Sequence, residues 1–322
     1  MPKVPVSRAA YVHDVDVEIG KKIDASVLDK RTTLCVVRAT KALEGPTGAY
    51  NELHRENISL ILTSMQATHH AMKKVLGFGA DNPESIDAMV FARVCLEGLY
   101  TLCLMFEDPA YVDRYLQDGW RKAYVKFILQ REETKKLPRF DEYSKNIAPE
   151  YLARLRNSFG ITEARQKTID HDELGTQLPP GVKPDRIRPF PTPGRIIAKL
   201  PHGDRRRMLE RLYLEYQSLS SFAHGLPEAN LFKEMSREHS PYNKMFDKEK
   251  IRDTRHREIE EQSWIVSRLS IIQAVAELTL LYPEDVDLRV AATDAWKEFS
   301  EGILLSRMIW NIRTKRLLGI LT

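Results

Sequence analysis

Cysteine is scarce: in 322 residues there are only Cys35, Cys95 and Cys103. The last two lie on one predicted helix, separated by about 12 Å of helical rise, too far to bridge. A disulfide framework is excluded, and all three read as small buried hydrophobes in a reducing compartment. Long uncharged apolar runs are also missing. A helical membrane span needs roughly 18 such residues, and Arg93 and Glu97 interrupt the nearest candidate, Ser85 to Phe106. The N-terminal stretch MPKVPVSRAAYVHDVDVE lacks the apolar core of a signal peptide and meets acidic residues early. The expectation is a cytoplasmic protein without a membrane partner. An excess of one charge is missing as well: 49 Lys+Arg against 45 Asp+Glu leaves +4, which permits an anionic partner without demanding one.

Several motifs are absent too. The chain has no phosphate-binding Walker loop, dinucleotide fingerprint, Gly-x-Ser-x-Gly elbow or Cys-x-x-Cys pair. The adjacent His69 and His70 point about 100° apart on a helix, and no Glu-x-x-His accompanies them. Neither a metal nor a cofactor is expected.

What the chain does have is helical periodicity, with no strand-length alternation. Residues 1–14 read as an arm, and 15–322 as one all-α domain, a bundle of six to eight helices. Ile19, Ile23, Val27, Leu34 and Val37 mark the apolar face of a first helix, ended by Gly45-Pro46. Leu53, Leu60, Ile61, Met65, Met72 and Val75 mark a second. Short connections between long helices imply antiparallel neighbours. From Thr162 to Gly203 seven prolines and little periodicity predict a loop insertion. Trp264, Val266, Leu269, Ile272, Val275 and Leu278 outline a late amphipathic helix.

Two polar intrusions stand out. In SIDAMVFARVCLEGLYTLCLMF, Arg93 and Glu97 are four apart on a helix otherwise apolar nearly all round, so they share one face. Buried charges persist only when paired, so the two are a structural pair or the floor of a polar site. In LERLYLEYQSLSSFAHGLP, Tyr216, Ser220 and His224 continue the row begun by Met208 and Leu212, and His224 falls at the helix C-terminus.

A helix with Ala-Arg-x-x-x-Glu and a later one with Tyr-x-x-x-Ser-x-x-x-His-Gly resembles an uncharacterised bacterial family of all-helical proteins. More distantly it is similar to the HEPN class of helical nucleotide-binding domains and metal-independent ribonucleases. The likeness covers roughly residues 50 to 282. It implies that Arg93, Glu97, Tyr216, Ser220 and His224 converge on one pocket for RNA or a nucleotide. The HEPN signature has an Arg four to six residues before its His; no Arg precedes His224 at that spacing, so Arg93 would have to serve from another helix. In that scheme His224 is the proton-transfer group and Arg93, oriented by Glu97, meets the developing phosphorane charge. Tyr216, Ser220, Arg205 and Arg206 are the ligand-binding candidates, with Arg186, Arg188 and Arg195 as a further basic rim. Two alternatives stay open: the chain is a non-catalytic interaction or self-assembly module, in which the same residues hold helices in register, Ser220 bonding a backbone carbonyl and His224 capping its helix, while Trp296, Phe299 and Trp310 leave an apolar stripe for a partner; or it is a small-molecule sensor that uses the same pocket.

Overall fold

The computed structural model of the chain describes residues 25–77, 87–134, 149–223 and 248–320. The arm at 1–14 and His224 lie outside the described residues, as do Ile19 and Ile23 of the first predicted helix. Among the described residues the architecture is all-α, with no strand. They divide into two compact units within the stretch that the sequence reads as one domain. One comprises the segments up to Glu107 and from Pro193 onward, and the other runs from Asp108 to Thr192.

The first unit is built from α1 (Ala25–Glu44), α2 (Glu52–Leu76) and α3 (Ala88–Met105). Asn51 caps α2 by accepting the His54 N–H, and its core face is His54, Ile58, Leu62, Met65, His69, Met72 and Leu76, a three-and-four spacing. That face is offset from the one predicted, since Leu60 is 62% exposed. A similar offset occurs in α1, where Leu28, Cys35, Val36 and Ala39 are buried while Leu34 and Val37 point outward. In α3 most apolar side chains are buried, with Val94 exposed. Its length and composition match a membrane-crossing helix, yet 61% of it is buried within the protein. Gly98 lets α2 approach closely, because a Cβ there would come within 2.6 Å of Met65 Sδ.

The second unit contains α4 (Ala110–Thr134), α5 (Pro149–Ser158) and α6 (Glu163–Leu174). The remainder of the first unit is α7 (Pro193–Lys199), α8 (Asp204–Ala223), α9 (Lys248–Leu278), α10 (Val286–Gly302) and α11 (Leu304–Ile309). A π-helical turn, Trp310–Thr314, carries α11 into the short α12 (Lys315–Leu317). The central element is α9, which packs against α1, α2, α3 and α10. Every residue from Val266 to Thr279 is buried, including Arg268, Gln273 and Glu277. The sequence reads this helix as amphipathic; its charges are tolerated inside because each meets a partner.

Part of the predicted Pro-rich loop is helical. Thr162 caps α6 by accepting the Arg165 N–H, and Gly175 ends it in the left-handed region, φ 73°. The stretch between α6 and α7 carries no regular element, but residues within the second unit hold it. Asp118 accepts the Phe190 N–H at 3.1 Å, Thr168 Oγ1 accepts the Asp185 N–H at 2.9 Å, and the Tyr115 and Phe190 rings meet edge to face. Trp120, Ile161, Ile169 and Ile187 form that unit's own small core.

Trp296 and Phe299 do not form the outward stripe expected for self-assembly. Both are fully buried, their rings 6.0 Å apart, and Trp310 packs 6.1 Å from Trp296.

Candidate functional site

Within the first unit α3 and α8 run antiparallel, and three polar tethers cross their seam. At one end Arg93 donates from Nε to Glu97 Oε1 at 3.0 Å and from NH2 to the Tyr216 hydroxyl at 3.3 Å. Tyr216 in turn donates to Glu97 Oε1 at 3.1 Å, and the guanidinium carbon lies 5.3 Å from the Tyr216 ring centroid. Midway, the buried Tyr100 hydroxyl donates to the Leu209 carbonyl at 2.7 Å. At the far end Arg205 bonds Glu107.

The first tether brings together three of the predicted residues. Its guanidinium is mostly buried and its carboxylate 38% exposed. Ser220 does not join them through its hydroxyl, which donates to the Tyr216 carbonyl one turn back at 2.7 Å. The Arg93–Glu97 pair and the Ser220 bond to a backbone carbonyl are the two parts of the register-holding alternative that fall on described residues.

Arg205 belongs to a different cluster. Eleven residues of helix separate it from Tyr216, about 16 Å of rise. Its Nε donates to Glu277 Oε2 at 2.9 Å, and Arg313 meets the same carboxylate through Nε at 2.8 Å and NH2 at 2.9 Å. Gln273 donates to Glu277 Oε1 at 3.0 Å and accepts from Thr314 at 2.7 Å. Burial alone would push the Glu277 carboxyl up, but the Arg313 hydrogen bonds and the Arg205 charge hold it below the usual carboxylate range. Beside this cluster lies a cavity of about 230 Å³ lined by Glu107, His202, Gly203, Asp204, Arg205 and Arg313, with Leu200 and Pro201. The start of α8 faces it. The first N–H groups of a helix have no carbonyl inside the helix to bond, and among the described residues the bonding of α8 opens with the Arg207 N–H on the Gly203 carbonyl at 3.0 Å. The NH1 group of Arg313 meets no acceptor among the described residues.

Arg206 lies outside this cavity and pairs with Glu210 one turn on at 2.9 Å. Arg186 pairs with Asp172 inside the second unit. Glu277 went unselected in the sequence and Arg313 reads there only as the start of a basic run on a solvated face, although Gln273 and Glu277 show the same four-residue polar spacing within an apolar stretch that marks Arg93 and Glu97.

A third cluster surrounds Asp29. His69 lies between Ser267 Oγ, 2.8 Å from Nδ1, and Asp29 Oδ1, 3.4 Å from Nε2. Asp29 also pairs with Lys73 and Arg268, and the Arg268 guanidinium stacks on Trp264 at 3.5 Å. Burial and the Arg268 charge lower the His69 pKa to about 4, so the ring is neutral at pH 7. An Nε2–H tautomer donates to Asp29 and leaves Nδ1 as an acceptor for the Ser267 hydroxyl, whose single proton the Trp264 carbonyl also meets at 3.2 Å. This connectivity is that of a hydrolytic Ser-His-Asp triad, but Ser267 and His69 are sealed from solvent, so no substrate reaches the hydroxyl. Among the described residues no group of three or more His, Cys, Asp or Glu side chains is placed to hold a metal.

Comparison of the chain with protein-family models, curated proteins and solved structures gives no match.

Proposed function

We propose that this chain binds a small phosphate-bearing ligand, a nucleotide or the phosphate end of an RNA, in the cavity at the start of α8. The observation that carries the reading is the pair of guanidinium groups, Arg205 and Arg313, on a cavity wall that also receives the first turn of a helix. Forked guanidinium donors suit phosphate oxygens, and a helix N-terminus adds backbone N–H groups and a favourable dipole. At about 230 Å³ the cavity lies below the ~300 Å³ at which drug-sized pockets begin, so it admits a phosphate group while the rest of the ligand lies outside. We confine the proposal to binding. Of the residues assigned to cleavage, Arg93 is engaged with Glu97 and Tyr216 away from this cavity and His224 lies outside the described residues.

Calorimetric titration at low salt with a nucleoside 5′-monophosphate, the matching nucleoside and inorganic phosphate tests the reading. The monophosphate and inorganic phosphate are expected to bind and the nucleoside not. Arg313→Gln, which removes a cation from the wall, is expected to weaken binding on the order of tenfold or more, the worth of one charge-assisted hydrogen bond. Absence of phosphate binding at millimolar concentration overturns it.

A further inference from the structure

Resting on that reading, we infer that Glu107 is an internal stand-in for the ligand, and that the ligand is a phosphate monoester rather than a diester. Two carboxylates bind Arg205, and they differ in kind. Glu277 is fully buried and shared with Arg313, Gln273 and Arg205, so it cannot leave without stranding charges in the core. Glu107 is 35% exposed and stands just past the end of α3. No partner other than Arg205 holds its carboxylate among the described residues. It can therefore swing off Arg205 into water at small desolvation cost.

The charge balance gives the release a purpose. Arg205 and Arg313 are offset by Glu277 and Glu107, and the Asp204 carboxylate on the same wall is offset by Arg207 and Arg316, so no guanidinium at the wall is uncovered while Glu107 is docked. With Glu107 released, one positive charge is uncovered beside the cavity. A phosphate group that takes its place reaches the same Arg205 nitrogen. It also offers oxygens to Arg313 NH1 and to the first N–H groups of α8, which the single Glu107 carboxylate leaves unmet. A monoester dianion, with three acceptor oxygens and close to two charges at pH 7, satisfies these donors together. A diester, with one charge and two free oxygens, satisfies fewer and has a substituent on either side of a small cavity.

Titration of inorganic phosphate, monomethyl phosphate and dimethyl phosphate into wild type, Glu107→Gln and Glu107→Asp tests this. Asp is one methylene short of Arg205 and keeps the charge, so the pair separates loss of the contact from loss of the charge. Urea midpoints confirm that each variant is folded. Both variants are expected to bind inorganic and monomethyl phosphate more tightly than wild type, Glu107→Gln on the order of tenfold, since one competing charge-assisted bond is gone. Dimethyl phosphate is expected to bind far more weakly throughout. If wild type binds phosphate but both variants bind it equally or more weakly, Glu107 is no stand-in and the site assignment survives without it. If dimethyl phosphate binds as tightly as monomethyl phosphate, the monoester assignment falls. If no variant binds any of the three, the phosphate site itself is wrong.

Discussion

Arg313 spans both oxygens of Glu277, with Nε 2.8 Å from Oε1 and NH2 2.9 Å from Oε2. This fork joins the π-helical turn after α11 to the buried C-terminal end of α9, and Arg205 extends it to the first turn of α8. Three segments distant in sequence are thus pinned by one carboxylate. The cavity wall is held in place by the same bonds.

Removing that carboxylate strands the mostly buried Arg313 guanidinium and leaves Arg205 with Glu107 alone. Glu277→Ala is expected to lower unfolding free energy by about 3–5 kcal/mol, the usual cost of breaking a buried pair from one side. Equilibrium urea denaturation measures it. A loss below about 1 kcal/mol would mean that the arginines find other partners.

Asp29 plays the corresponding part for Arg268, which is fully buried, and for Lys73. Asp29→Ala is expected to destabilise by about 3–5 kcal/mol as well. Adding Arg268→Met should recover part of that loss, because the orphaned charge is then gone. The Trp264 fluorescence of folded protein reports the same site, since the guanidinium stacked on its ring depends on Asp29 for its position.

His69 makes stability depend on pH in a definite direction. Its folded pKa of about 4 lies below the ordinary 6.5. Above pH 6.5 both folded and unfolded chains hold it neutral. As pH falls from 6.5 to 4 the unfolded chain takes up a proton that the folded chain refuses, so stability falls across that window by about 3 kcal/mol in all. Urea midpoints of wild type and His69→Gln at pH 7, 6 and 5 separate this contribution. The variant is expected to show a smaller decline, and parallel curves would refute the assignment. Glu277 and Asp29, both held below the usual carboxylate range, retain their stabilisation above about pH 4–4.5 and lose it as pH falls further.

The core face of α2 can be checked with two leucines. Leu62 is fully buried and Leu60 is exposed. Leu62→Ala is expected to cost about 2–5 kcal/mol and Leu60→Ala less than about 0.5.

These leucines also show what the sequence made legible. Helix existence followed from periodicity, and the all-α class with it. The faces of α1 and α2 did not, because Thr32, His54 and His69 sit on the buried sides while Leu34, Val37 and Leu60 point outward; counting apolar residues misplaces a face whose polar members are satisfied by partners. The helix α6 was hidden by the prolines that follow it, although its Thr162 cap and Gly175 stop are both visible in the sequence. Arg93 with Glu97 was readable because both lie on one helix at a fixed spacing, and Tyr216 because it continues an apolar row. The Glu107, Arg205, Glu277 and Arg313 cluster draws on four separate segments. No spacing rule joins them, and only tertiary packing of α9 against α3 and the neighbouring helices brings them to one wall.

The central claim is where a phosphate binds. Amide nitrogen–proton correlation spectra of the labelled chain, recorded during titration with inorganic phosphate at low salt, locate it directly. Saturable shifts centred on Gly203, Asp204, Arg205 and Arg206, with the Arg313 side-chain signal moving alongside, are the expected result. Shifts centred instead on Arg93, Glu97 and Tyr216, or no saturable shift at all, would contradict it.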